Sequence, residues 1–186
     1  MSGTSLDGID AALVETDGVT ITRLGAWLTT PYDADLRERL RDCLGATGAV
    51  DDVARDLTLA HADAVRALLI GGGIDAGDIR VLGFHGHTID HRPADGVTRQ
   101  IGDGALLAHL TGIDVVADFR AADVAAGGEG APFAPLYHAA LCRDMDRPVC
   151  VPDVGGAAHP CFEIRRGRVH GRKHEAAIAV VARQFL

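Results

Sequence analysis

Apolar and polar residues alternate in two stretches near the start of the chain. "IDAALVETDG" (9–18) and "VTITRLGAWLTTPY" (19–32) meet at the Asp17-Gly18 pair. An Asp-Gly pair between two such runs is a strong signal for a tight turn between antiparallel strands. Further along, "TIDHRP" and "VTRQIG" flank "ADG" in the same way. The pattern therefore predicts two β-hairpins.

Helical spacing recurs between and after these hairpins. In 33–45, Leu36, Leu40 and Leu44 share one side of a helix that starts at Asp33 and stops at Gly45. A longer helix is predicted near 50–70, ended by "GGG". Three more are predicted over "GDGALLAHLTG", over "FAPLYHAALCRD" after its proline, and over the final "HEAAIAVVARQFL".

Short apolar runs predict the remaining strands. They are 79–86, 113–119, "RPVCVPDVGG" and "PCFEIRRGRV", the last two joined at Gly155-Gly156. This order of elements predicts an α/β fold, with a mixed sheet and flanking helices. The glycine-rich segment 125–131 is a domain hinge or ligand loop on one interpretation, and a surface loop on the other.

Composition narrows the class of protein. The chain has 186 residues, 47% of them hydrophobic, and a net charge of −8. An acidic protein is a poor match for nucleic acid or an anionic membrane as its main partner. No apolar run approaches the roughly 20 residues that span a bilayer, and no leader sequence is evident. We therefore expect a cytoplasmic protein.

The segment "SGTSLDGID" (2–10) is a candidate phosphate loop. Glycines let backbone N–H groups approach an anion closely, and hydroxyl groups add donors. Asp7 or Asp10 could hold Mg²⁺. An ordinary turn with an aspartate cap is the alternative. The residues implicated are Gly3, Thr4, Ser5, Leu6, Asp7, Gly8, Ile9 and Asp10.

A second turn of similar chemistry strengthens the phosphate interpretation. "PDVGG" places Asp153, Gly155 and Gly156 between two predicted strands. Actin-like ATPases and sugar kinases grip the phosphates of a nucleotide between two such turns, one from each lobe. The two turns together therefore favour phosphate binding over a plain turn.

Four motifs in order carry a specific resemblance. "MSGTSLDGID", "HGHT…HRP", "QIGDGALLAHLTGIDVVADFRAADVAAGGEGAP" and the following "PLYH" resemble the anhydro-N-acetylmuramic acid kinase family. The resemblance implies the two-lobed, ribonuclease H-like fold of actin, Hsp70 and hexokinase. It also implies an enzyme that uses ATP and Mg²⁺ to open the 1,6-anhydro ring of this amino sugar with water and to phosphorylate O6, in peptidoglycan recycling.

The resemblance also assigns site residues. The ATP motif falls on Gly3 to Asp10. The sugar pocket is expected to be built from several later segments, one of which contains Asp118 and Phe119. Arg120 is the candidate for the sugar carboxylate, because a guanidinium matches a carboxylate with two parallel hydrogen bonds. A salt bridge with Asp118 or Asp123 is the alternative. The sugar-binding residues so implied are His85, Gln100, Asp103, Arg120, Gly128 and Pro132.

The departures from the family pattern concern both ends of the chain. The family has a strand before the first loop and usually Asn at the position of Asp153. After Gly171 it has Asp-Thr-Gly-Pro-Gly-Asn, whose aspartate is the expected general base. This chain reads "RVHGRKHEAAIAVVARQFL" there, so no catalytic residue is assigned.

These departures predict an incomplete kinase. Residues 1–146 are expected to form the first lobe without its first strand, and 147–186 the start of a second lobe. Weak or absent activity is expected, with a homodimer or a missing second half as partner. The alternative is a non-catalytic remnant that binds sugar or nucleotide.

The histidine-rich stretch 85–91 suggests a metallohydrolase as a third hypothesis. His85, His87, Asp90 and His91 resemble a His-x-His-x-Asp-His metal motif, but the run is one residue too long. One extra residue displaces the later ligands relative to the first pair, so no zinc site is expected. In the family, glutamine commonly stands at position 87, and His87 is interpreted as its neutral substitute.

Overall fold

A computed structural model describes residues 6–143 and 145 with their side chains, and the backbone of Val149–Val151, Phe162–Arg165 and Arg168–His170. Some predictions therefore lie outside the described residues. They concern Gly3, Thr4 and Ser5 of the first loop, Asp153, Gly155 and Gly156 of the second turn, and the final helix.

The first predicted hairpin is confirmed. Strand β1 (Gly8–Thr16) pairs antiparallel with β2 (Ile21–Pro31). The Asp17 carboxylate accepts the N–H groups of Val19 at 2.9 Å and Thr20 at 2.6 Å, which closes the turn between them. At the other end, a Cβ at Gly8 would collide with the carbonyl oxygen of Thr30. Glycine is therefore required where β1 begins.

Two predicted helices cover this hairpin. Helix α1 spans Ala34–Asp42, with Asp33 accepting the N–H of Leu36 at 2.7 Å as its cap, and α2 spans Asp51–Gly72. Leu40 and Leu57 are fully buried in the core between the helices and the hairpin. In the part of the chain that the structure describes, no helix is long and apolar enough to cross a membrane.

One detail of the α1 prediction is wrong. Helical spacing places Leu44 on the buried side of the helix, but this residue is 45% exposed. The helix ends at Asp42, so Leu44 follows the cap and no longer shares the helical spacing of Leu36 and Leu40.

The second hairpin and two further helices follow in the predicted order. β4 (His87–Arg92) pairs antiparallel with β5 (Val97–Ile101) around Gly96. Helix α3 (Gly104–Thr111) ends at Gly112, as predicted, and a later helix (Ala134–Leu141), here α5, follows the glycine-rich segment. The turn at Gly96 and the helix end at Gly112 can be predicted from local sequence, because glycine adopts the left-handed conformation at little cost.

Two predicted strands are much shorter than expected. Of 79–86 and 113–119, only β3 (Leu82–Gly83) and β6 (Val115–Val116) pair, in parallel. The second segment ends because Asp118 adopts a left-handed conformation, φ 57°, and helix α4 (Phe119–Ala125) begins directly after it. The sequence prediction of a strand through Phe119 is therefore wrong there, and the sequence pattern does not reveal α4.

Three strands follow α5. β7 (Val149–Val151), β8 (Phe162–Arg165) and β9 (Arg168–His170) form an antiparallel sheet. The single strand predicted over "PCFEIRRGRV" is thus two strands. With the parallel β3–β6 pair, the described residues form several small sheets with flanking helices, which confirms the α/β class with mixed pairing. The lobe boundary at 146/147 stays a prediction.

A cavity of about 760 Å³ is lined by β1, α2 and the segment around β3, mostly with apolar side chains. His61 of α2 lines this cavity and is 6% exposed. Its Nδ1 donates to the carbonyl of Leu57 at 2.8 Å, and its buried Nε2 has no hydrogen-bond partner. Burial lowers the pKa of His61 from 6.5 to about 3, so the folded protein holds it neutral.

This shift makes stability depend on pH. The unfolded chain protonates His61 below its ordinary pKa of 6.5, while the folded protein does so only near 3. Stability from this residue is therefore present above 6.5 and is lost as the pH falls. We expect a loss of about 2 kcal/mol in the free energy of unfolding between about pH 7.5 and about pH 5 from this residue.

Urea unfolding of His61→Gln at the two pH values measures the effect. The variant should lose that part of the pH dependence, and the same change at exposed His109 should not. An unchanged pH dependence in His61→Gln would contradict the assignment.

Candidate functional site

Two regions of the chain that are distant in sequence, 84–101 and 119–131, meet around Arg120. They contain the chain after β3, the β4–β5 hairpin, the start of α4 and the glycine-rich segment before α5. The positive charge of Arg120 lowers the pKa of both His85 and His91. A Cβ at Gly130 would lie 3.2 Å from the carbonyl oxygen of Arg120 and 3.5 Å from Cε1 of His91. The predicted sugar-site segments are therefore neighbours in space.

Arg120 is half-buried, and in the part of the chain that the structure describes it pairs with no carboxylate. Its Nε is buried and has no hydrogen-bond partner among the described residues, and removal from water lowers the pKa of the guanidinium. Within the described residues, it forms no ion pair with Asp118 or Asp123. The alternative of a structural salt bridge is thus not realised. A desolvated cation is costly unless an anion accompanies it, so this position suits an anionic ligand.

Two neutral histidines lie beside this cation. The Nδ1 of His85 donates to the carbonyl of Gly86 at 3.0 Å, which leaves its buried, unpartnered Nε2 as an acceptor. Burial and then the Arg120 charge lower the pKa of His85 to about 4. The same causes lower the pKa of His91, whose Nδ1 is 3.0 Å from Oγ1 of Thr98. Neutral imidazoles can bind the hydroxyl groups of a sugar.

Arg120, His85, His91 and Phe119 are here called the Arg120 cluster. Aromatic rings form one wall of it. The Phe119 ring lies 5.8 Å from the ring of His85 and 5.9 Å from the ring of Phe133. Phe119 opens α4 directly before Arg120. An apolar wall beside a cation excludes water and strengthens the attraction of that cation for an anion.

The other residues that are predicted to bind the sugar differ in what their side chains contact. The amide of Gln100 donates to Thr98 at 2.9 Å, and its Cβ is 3.6 Å from where a Cβ at Gly86 would lie, so Gln100 is close to Gly86. The Asp103 carboxylate instead accepts the N–H of Leu106 at 2.8 Å and caps α3. Pro132 is exposed after a cis peptide bond. Sugar contacts by these residues stay predictions.

Asp123 is a residue whose position the sequence does not indicate. It is 8% exposed, and its carboxylate accepts the N–H of Gly130 at 2.7 Å. A Cβ at Gly128 would collide with this carboxylate. The one sequence signal is the glycine spacing itself, because such glycines mark places where backbone comes close to other atoms.

The described part of the first loop offers two carboxylates. Leu6 is buried with φ 56°, and the chain then enters β1. The Asp7 carboxylate accepts the N–H of Gly8 at 3.1 Å, and the Asp10 carboxylate accepts the Thr29 hydroxyl at 2.6 Å. Such oxygen ligands suit Mg²⁺.

The histidine-rich stretch is divided between different environments. His87 is fully buried and burial lowers its pKa, while His85 and His91 lie beside Arg120. Among the residues that the structure describes, no group of three or more His, Cys, Asp or Glu side chains is placed to hold a metal ion. The neutral state of His87 fits a hydrogen-bonding role in place of an amide.

Comparisons with known proteins agree on one family. The sequence profile of "Anhydro-N-acetylmuramic acid kinase" matches residues 1–162. Proteins with that name from Paramagnetospirillum magneticum and Gluconobacter oxydans are 55% and 52% identical, over 86% of this chain and 45% of their own length. The protein from Rhizobium etli is 44% identical over 91% of this chain and 49% of its own. The chain spans about half the length of these relatives.

The effect of the Arg120 charge on the two histidines predicts a measurable change in their pKa values. Arg120→Gln removes the positive charge that disfavours protonation, so the pKa values of His85 and His91 should both rise. Following the imidazole signals by NMR against pH measures this rise.

Arg80→Gln is the matched control, because the Arg80 side chain is 93% exposed, pairs with Asp114, and carries a charge that is not among those shifting the pKa of His85 or His91. If His85 and His91 have the same pKa values in wild type and in Arg120→Gln, the guanidinium of Arg120 does not lie beside these two histidines.

Proposed function

Because the chain belongs to the anhydro-N-acetylmuramic acid kinase family, we propose that the Arg120 cluster binds anhydro-N-acetylmuramic acid, the sugar that a complete kinase opens with water and phosphorylates on O6. The observation that carries this proposal is the partly desolvated guanidinium, which has no carboxylate partner among the residues that the structure describes. The lactyl group of the sugar supplies a carboxylate, and a guanidinium can bind it through two parallel hydrogen bonds.

The surroundings of Arg120 support the same ligand. The unpartnered Nε2 of His85 accepts a hydrogen bond, so a sugar hydroxyl can donate to it. Phe119 offers an apolar face to the carbon skeleton of the sugar. A cation, an acceptor and an apolar wall together match an anionic amino sugar better than a neutral one.

ATP and Mg²⁺ are the proposed co-substrate and metal ion. The first loop, Gly3 to Asp10, is proposed to hold the phosphates through backbone N–H groups and hydroxyls, with Asp153, Gly155 and Gly156 on the opposite turn. Asp7 or Asp10 would hold Mg²⁺, which neutralises phosphate charge. Neither residue is buried away from solvent, so a hydrated ion can reach both.

Binding without efficient phosphate transfer is the proposed property of this 186-residue chain. No residue is proposed as general base, since the sequence after Gly171 lacks the family's aspartate motif. The alternative is a sugar- or nucleotide-binding protein without chemistry. A separately supplied second half would complete the enzyme, and a homodimer is the other proposed partner.

Turnover and binding assays separate these possibilities. We expect the chain to bind anhydro-N-acetylmuramic acid in calorimetry, and Arg120→Ala to weaken this binding by about tenfold or more, as the loss of a charge-assisted hydrogen bond requires. Phosphate transfer from ATP should stay close to background. Arg80→Ala, at an exposed position, serves as the control.

Robust turnover by the chain alone would contradict the proposed incompetence. Absence of sugar binding in the folded wild-type chain would contradict the proposed ligand.

A further inference from the structure

We infer that Asp123 is a positioning residue, which fixes the segment 128–132 beside Arg120 and leaves the guanidinium to an external anion. The ligand in this inference rests on the proposed function, whereas the positioning role rests on the contacts of the folded chain.

The carboxylate of Asp123 is committed to the backbone of the glycine-rich segment. Asp123 is 8% exposed, and its Oδ2 accepts the N–H of Gly130 at 2.7 Å. Its own carbonyl oxygen accepts the N–H of Gly128 at 2.8 Å. One residue therefore binds the segment at two points, and a buried carboxylate that accepts an N–H holds it more firmly than a neutral acceptor does.

The two glycines allow this close approach. A Cβ at Gly128 would occupy the position of the Asp123 carboxylate. Gly130 has φ 66°, and a Cβ there would lie 2.9 Å from Cγ2 of Val124, which is tighter than normal packing. Larger residues at either position would push the segment away from α4. The glycines and the aspartate thus form one unit, the Asp123 cradle (Asp123, Gly128 and Gly130).

This arrangement explains why Arg120 pairs with no carboxylate in the described ranges of the chain. Residues three apart on a helix are neighbours, so Asp123 is the obvious candidate to pair with Arg120 on α4. The carboxylate instead accepts from Gly130, and the Arg120–Asp123 pair is absent from the ion pairs of the described residues. Gly130 also packs against the backbone of Arg120, where a Cβ would come within 3.2 Å of the carbonyl oxygen. The cradle therefore both shapes the site and keeps its cation available.

The test compares three variants of the 186-residue chain. Asp123→Ala removes the acceptor, Gly128→Ala fills the cradle from the other side, and Asp123→Asn keeps an acceptor oxygen. Asp114→Ala, at an exposed position, is the control. Amide hydrogen exchange at Gly130 reports the cradle without any ligand. Calorimetry with N-acetylmuramic acid and with N-acetylglucosamine, which lacks the lactyl carboxylate, reports the selectivity for the anion.

We expect rapid exchange at Gly130 in Asp123→Ala and Gly128→Ala, and a fall of about tenfold in the preference for N-acetylmuramic acid. Asp123→Asn should restore both the protection and most of the preference. Such rescue distinguishes positioning from a general loss of stability when Asp123→Ala folds. Where it does not fold, Gly128→Ala provides the test, because it displaces the segment and retains the carboxylate.

Unchanged Gly130 exchange in Asp123→Ala, or no rescue by Asp123→Asn, would overturn the inference. If the wild-type chain binds neither sugar, the proposed function fails, and the Gly130 exchange still decides the positioning role separately.

Discussion

The candidate site depends on a positive charge that the fold partly buries and does not neutralise. Removing a guanidinium from water costs free energy, and proteins normally offset this cost with a carboxylate. Around Arg120 the described residues instead supply two neutral histidines and an aromatic ring. The nearest carboxylate that follows it on the same helix, Asp123, is engaged by the backbone of Gly130. On the proposed function, binding of the anionic sugar would offset the cost of this desolvated charge.

Several backbone features place this charge. Asp118 in the left-handed conformation turns the chain from β6 into α4, so that Phe119 and Arg120 open the helix beside the histidines. Gly86, with φ 66°, turns the chain from β3 into the second hairpin, and a Cβ there would collide with the carbonyl of Ile101. These two turns follow the ends of the parallel β3–β6 pair, at the edge where the site forms.

Local chemistry makes part of this structure predictable. Asp17-Gly18, Asp33, Gly96 and Gly112 act within a few residues of themselves, and the turns, the cap and the helix end that they predict all occur. Arg120 can be proposed because the family motif covers it. The left-handed Asp118 has no local signal, since non-glycine residues rarely adopt that conformation, and α4 therefore escapes prediction.

Features of the site that depend on tertiary contacts could not be predicted from the sequence. The role of Asp123 depends on Gly128 and Gly130 folding back onto α4, which no periodicity reveals. The histidines resemble metal ligands because they are close in sequence, yet His87 is fully buried while His85 and His91 flank Arg120. Spacing along a chain predicts chemistry only when the backbone keeps the residues on one face.

The claim that the Arg120 cluster holds the sugar has a direct test in backbone amide NMR. Isotope-labelled protein is titrated with anhydro-N-acetylmuramic acid, and each amide shift is followed to saturation. The account predicts saturable changes concentrated at Gly86, Phe119, Arg120 and Gly130. No change at saturating sugar, or changes confined to the cavity between β1 and α2, would contradict it.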